Sequence, residues 1–341
     1  MATEIDLRST GDERGRSAQS PTDIPPRGWR DVLARTAREA KQDQIVLLGA
    51  GVAFFGLLAL VPALLATVGI YGLVADPADV GRHVTDLLGA APGEVRDLAE
   101  SQLSSITSEA SQSVSIGLAI ALAVALWSAS SGMKHLMDAL NACYDEVEGR
   151  GFFKVRGIAL LLTVGAIMFV LVSLGILTVV PALLEDSVLG DAAKTAISIA
   201  RWPLLAIAFG AGLAVLYRHG PSRDAAEWRW VSPGAVVATV LWLMGSALFS
   251  VYVSNFSSYN ETYGSLGGII VAMLWLVLTA VVVLLGAELD SEMERQTRYD
   301  TTEGRDEPLG QREAYAADTV GSTADEVKAE RQRAKAAANA G

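Results

Sequence analysis

The stretch IGLAIALAVALWSASSGMKHLMDALNACYDE, residues 116–146, decides the fold. Its first twelve residues, Ile116 to Trp127, are apolar without a break. Twelve residues of helix rise about 18 Å, short of the roughly 30 Å of a bilayer's hydrocarbon core. A spanning helix must therefore run on into Ser130, Ser131, Lys134 and Asp138. Placed on a helix, Trp127, Ser131, Lys134, Asp138, Asn141 and Asp145 follow steps of 4, 3, 4, 3 and 4 and share one face. Met133, Leu136, Met137 and Leu140 occupy the rest. Turning that stripe to lipid would cost about 2.5–3.5 kcal/mol for each uncompensated charge, so it is expected to face protein or water.

The rest of the chain repeats the apolar half of this pattern. Of 341 residues 51% are hydrophobic and the mean hydropathy is +0.35, too apolar for a soluble protein unless the excess is segregated. Uncharged runs lie at 44–75, 111–133, 157–184, 202–217, 231–256 and 262–287, which predicts an all-α polytopic membrane protein with six transmembrane helices. Lys and Arg fall alternately in the connecting segments, fifteen on one side and four on the other, so both termini are expected in the cytoplasm. The start of the chain has no apolar core, and the first span is expected to direct insertion.

Outside the transmembrane domain, 29–295, residues 1–28 are polar and predicted disordered, and 296–341 are expected to remain a mobile polar cytoplasmic tail. Residues 29–43 carry an apolar stripe from Trp29 to Ala40 beside Arg30, Arg35, Arg38 and Lys41, the pattern of a helix resting on an anionic leaflet. Between the first two spans, 76–112 is expected to form short external amphipathic helices. The net charge of −11 is carried largely by the chain's end, since thirteen of the 38 acids lie at or after Glu288, and a solvated tail explains it better than a cationic partner. The single cysteine, Cys143, excludes an intrachain disulfide.

Candidate chemistry is confined to a few places. Ser131, Lys134, Asp138 and Asn141 could line a substrate or ion path at the cytoplasmic end, or Lys134 and Asp138 could staple a helix already in water. Glu288, directly after the last apolar run, could meet Lys134 or Arg156 from neighbouring helix ends and join the same path as part of a cytoplasmic gate. On the other side SNFSSYNETYGSLGG, 254–268, offers Asn255, Asn260, Tyr263 and Gly264 as a polar outer mouth. The three histidines are scattered, and neither a metal-ligand spacing nor a nucleophile elbow, P-loop or dinucleotide fingerprint is present. No enzyme, no cofactor and no nucleic-acid partner is therefore expected.

ALWSASSGMKHLMDALNACYD followed by RGFFKVR, LYRHGPSRDAAEWRWVSPGAVVATVLWL, VYVSNFSSYNETYGSLGGIIVAMLWL and LLGAELDSEMER together resemble the YihY/virulence factor BrkB family of bacterial inner-membrane proteins, over about Trp29 to Arg295. The resemblance implies six transmembrane helices in the cytoplasmic membrane, membrane lipids as surroundings and partners, and an envelope role without an agreed substrate. It maps the family's recurring polar positions onto Ser131, Lys134, Asp138, Asn141, Asn260, Tyr263, Gly264 and Glu288. Its older label, ribonuclease BN, is disfavoured by the absence of a metal-ligand pattern. The expected function is transport of an amphiphilic or anionic envelope component through a hydrated crevice enclosed by the helices, toward which the charged stripe is expected to point, with an envelope-organising interaction protein as the alternative.

Overall fold

The computed structural model describes residues 12–74, 116–185, 190–254 and 265–340, and among them every regular element is helical. A single turn of 3-10 helix, Pro21–Asp23, leads into α1, Pro26–Gln42. Then follow α2 (Ile45–Val74), α3 (Ile116–Cys143), α4 (Phe152–Glu185), α5 (Asp191–His219), α6 (Trp228–Ser254) and α7 (Ser265–Glu294). The short α8 (Tyr315–Asp318) and α9 (Ala324–Ala340) close the chain. Gln44 and Asp145 adopt left-handed backbone, φ 52° and 54°, and break the chain at the start of α2 and after α3.

The six long helices form a closed ring. Each of α2 to α6 packs on its successor and α7 returns to α2. Five of them, all except α3, are long and apolar enough to cross a membrane. The segments between α1 and α2, α3 and α4, α5 and α6, and after α7 converge at one polar end: Ser222 donates its N–H to Asn141, Arg150 donates to the Gly220 carbonyl, and Glu227 N–H donates to the Thr301 carbonyl. Packing is concentrated there. Leu140, Tyr144, Leu216, Tyr217, Val231, Leu284 and Ala287 are buried in one core, whereas toward the other end buried apolar side chains such as Ala66 and Leu184 are sparse among the described residues.

Three expectations need correction. Residues 12–28 are ordered: Ala18 and Ile24 join Val32, Trp230, Leu289 and Met293 in a second core, and Arg16 donates to the Gly321 carbonyl at 2.6 Å. The C-terminal segment is likewise docked, through buried Ala316, Ala317 and Val327 and through Arg312, whose guanidinium serves the carbonyls of Ala317, Arg298 and Tyr299. A few small apolar side chains and arginine forks hold these polar stretches, a contribution that composition averages away. Part of the basic face of α1 meets protein and not a leaflet. Arg35 is fully buried, paired with Glu292 and donating to that residue's carbonyl at 2.7 Å, and Asp31 caps the start of α9 by accepting from Ala324 N–H at 2.8 Å. Residues 1–11, the segment 76–112 and the loop containing Asn255, Asn260, Tyr263 and Gly264 lie outside the described residues.

Candidate polar groove and carboxylate end

The direction of the α3 stripe follows from what the helix touches on its other sides. Leu140 and Cys143 enter the main core. Gly132 sits against Ala59, and His135 stacks on Phe55 with ring centroids 3.6 Å apart, which fixes α2 on one flank. Met137 packs with Val155 and Ala159 of α4 on the other. At 100° per residue, Ser131, Lys134 and Asp138 then fall between α2 and α4, facing away from the core. They line a groove on the perimeter of the ring and not an enclosed crevice inside it, because the inward face of α3 is already filled by apolar side chains.

Within the groove Lys134 Nζ and Asp138 Oδ2 are 2.6 Å apart, with side chains 42% and 40% exposed. Ser131 accepts from Arg156 of α4 at 3.3 Å, and the guanidinium lies 4.1 Å from the centre of the Trp127 indole. Asn141 does different work one turn further on. It is buried, accepts from Ser222 N–H at 2.7 Å and donates to Glu148 at 3.2 Å, so it ties the end of α3 to the α5–α6 connection. Arg150 grips the same Glu148 through both carboxylate oxygens, at 2.8 and 2.6 Å, which holds its pKa down at about 2.

Glu288 is not part of the groove. It is buried on α7, and its charged surroundings are the carboxylates of Asp43, Glu292, Glu39 and Asp145; neither Lys134 nor Arg156 reaches it. Among the described residues its Oε2 has no hydrogen-bond partner. Glu288 opens a series of acids at every second position, 288, 290, 292 and 294. Steps of 200° send alternate members to opposite sides of the helix. Glu292 meets Arg35 of α1 and Arg295; Glu294 takes both terminal nitrogens of Arg223 at 2.9 and 2.7 Å; Asp290 accepts the Gly234 N–H of α6 at 2.7 Å. The alternation in ELDSEMER puts acids on both sides of the helix end and so marks where it leaves lipid, while enclosure by protein on all sides follows from the structure. The alternation was legible in the sequence, but the basic partners come from segments far away along the chain.

Asp43 is pushed up to about 6 by burial and by the neighbouring charges of Asp145, Glu39 and Glu292. A folded-state pKa above the unfolded value of about 3.9 means that stability contributed by the protonated form is present below that value and lost as pH rises through about 6. Asp43→Asn should therefore raise the thermal midpoint at pH 7.5, and the advantage should vanish near pH 4. The side chain is only half-buried, which limits the effect to about 1 kcal/mol or about 2–4 °C. Thermal unfolding of the detergent-solubilised pair at both pH values checks it.

A family model described as virulence factor BrkB matches residues 36–310, which takes in the whole ring and the carboxylate end. The chain belongs to the virulence factor BrkB family. A Bacillus subtilis (strain 168) protein named as ribonuclease-like, YfkH, is 33% identical over 255 residues, covering 73% of this chain and 90% of that protein. A UPF0761 membrane protein of Alteromonas mediterranea is 27% identical over 273 residues, 76% of this chain and 86% of that one. No solved structure matches. This BrkB-family chain is thus an integral membrane protein, and among its described residues no group of three or more His, Cys, Asp or Glu side chains is placed to hold a metal ion.

Proposed function

We propose that the chain is a six-pass carrier of the bacterial inner membrane, with both termini cytoplasmic, that moves an anionic amphiphile along the groove between α2 and α4. The observation that carries this reading is the outward direction of the α3 stripe. His135 of that segment stacks on Phe55, ten residues or about 15 Å along α2 from its start at Ile45, and the surrounding α2 side chains Val46, Leu47, Phe54 and Leu58 are exposed and apolar. A charged, half-exposed stripe beside such a surface suits a molecule with a polar head and apolar tails. Convergence of the basic connecting segments at one end supports the orientation, and the sparse packing of the other half supports passage between the helices. On this reading the chain binds membrane lipid, uses no cofactor and is not an enzyme.

The test is lipid movement by protein reconstituted in vesicles that carry a headgroup-labelled phospholipid. Lys134→Ala combined with Asp138→Ala should slow transfer between leaflets several-fold while the thermal midpoint stays within about 2 °C, since an exposed pair contributes at most about 1 kcal/mol to stability. If the double variant moves lipid at the parental rate, the groove is not the path. Loss of an envelope phenotype on replacing 76–112, with that rate intact, would favour the envelope-organising role instead.

A further inference from the structure

Arg156 carries a charge that the fold does not balance. Only 9% of the residue is exposed, and its guanidinium donates to the Trp127 carbonyl at 2.6 Å and to Ser131 Oγ at 3.3 Å from each terminal nitrogen. Both acceptors are neutral, and among the described residues Nε has no partner and no carboxylate lies within ion-pair distance. Arg35, Arg218 and Arg223 each meet a carboxylate, and Lys134 in the same groove is already matched by Asp138. Covering a cation with dipoles alone is costly, and an anion that arrives from outside removes the cost.

The surroundings specify which anion. A guanidinium fork fits the oxygens of a phosphate, and the two long bonds to Ser131 are the ones that turn most readily toward a ligand. The indole face of Trp127 holds the guanidinium, and Phe152 lies 6.4 Å from that indole. Ile120, Val124 and Trp127 lie on one face of α3 and are all exposed, so an apolar wall runs from the charge toward the apolar half of the helix. A free phosphate has no use for such a wall; an acyl chain does.

We propose that Arg156, assisted by Ser131, binds the phosphate of a phospholipid in the leaflet at the polar end of the ring, with its acyl chains against the exposed wall of α3. This rests on the groove as a head-group path and names the side chain that recognises the head. Lys134 and Asp138, neutralised by each other, line the path and leave its unpaired charge to Arg156.

Brominated phosphatidylglycerol, titrated into the full-length protein in detergent, should quench tryptophan fluorescence saturably, and Trp127→Phe should remove that component. Arg156→Gln should weaken binding about tenfold or more, the loss expected for a hydrogen bond to a charged group, while Arg156→Lys retains most of it. Brominated diacylglycerol should give no saturable quenching, and millimolar inorganic phosphate should not displace the lipid. If Arg156→Gln does not fold, Ser131→Ala carries the comparison, with binding about threefold weaker. Parental binding by folded Arg156→Gln, or by Ser131→Ala where that variant stands in, overturns the site, and displacement by inorganic phosphate overturns the lipid assignment. Binding that survives with no lipid movement in vesicles refutes carriage while leaving the site in place.

Discussion

Arg223→Ala should destabilise the protein by about 3–5 kcal/mol, the loss that follows when one partner of a buried ion pair is removed and the other charge stays behind. Arg223 and Glu294 are 2% and 0% exposed, joined through both carboxylate oxygens, and Thr301 Oγ1 donates to the same carboxylate at 2.6 Å. The guanidinium also lies 5.2 Å from the centre of the Tyr144 ring. Truncation leaves Glu294 charged, buried and held by a single hydroxyl. The expected readout is a large drop in thermal midpoint and in the yield of monodisperse protein. Arg223→Met combined with Glu294→Leu should recover most of the loss, because a well-packed apolar pair removes both desolvation costs. If the double variant is as unstable as the single one, the damage comes from the α5–α6 connection and not from an orphaned charge.

That pair shows where reading the sequence stops. Uncharged runs located the six long helices to within a few residues for α2, predicted over 44–75 and observed over Ile45–Val74. They fell short for α5, predicted over 202–217 and observed over Asp191–His219, because a run that stops at Arg201 follows charge while a helix follows backbone hydrogen bonding. For α3 the uncharged run stops at Met133, but the face shared by Lys134, Asp138 and Asn141 predicted its continuation, and the helix runs to Cys143. Periodicity established that Ser131, Lys134 and Asp138 share a face, since that depends on spacing alone. It could not say which way the face turned: the answer lies in contacts of His135 with Phe55 and of Met137 with Val155, between residues brought together only by the fold. Glu288 was visible as a deep carboxylate, but the basic groups near the end of α7 were already committed to Glu292 and Glu294.

The second large effect is expected where α6 and α7 cross. Gly286→Ala should cost about 3 kcal/mol or more, at or above the usual range for overpacking, because two of the three atoms in the way, Ala238 Cβ and the Gly234 carbonyl oxygen, are fixed to the backbone. A methyl group on Gly286 would strike the Tyr217 hydroxyl, approach Ala238 Cβ to 2.7 Å and the Gly234 carbonyl oxygen to 2.8 Å. One on Gly234 would fall on the Gly286 carbonyl and the Asp290 carboxyl. The crossing is locked on both sides, by Tyr217 Oη donating to the Val283 carbonyl at 2.7 Å and by Gly234 N–H donating to Asp290. Adding Tyr217→Phe should therefore relieve part of the Gly286→Ala defect and none of a Gly234→Ala defect. Gly51→Ala and Gly56→Ala, where a methyl group meets nothing within 4 Å, should leave the thermal midpoint unchanged or raise it. Equal losses at all four positions would mean that helix flexibility and not close approach explains the glycines. A selective loss at Gly234 and Gly286 would identify this crossing as the joint that sets the depth and rotation of α7, and with it the placement of Asp290, Glu292 and Glu294 against α6, α1 and the α5–α6 connection.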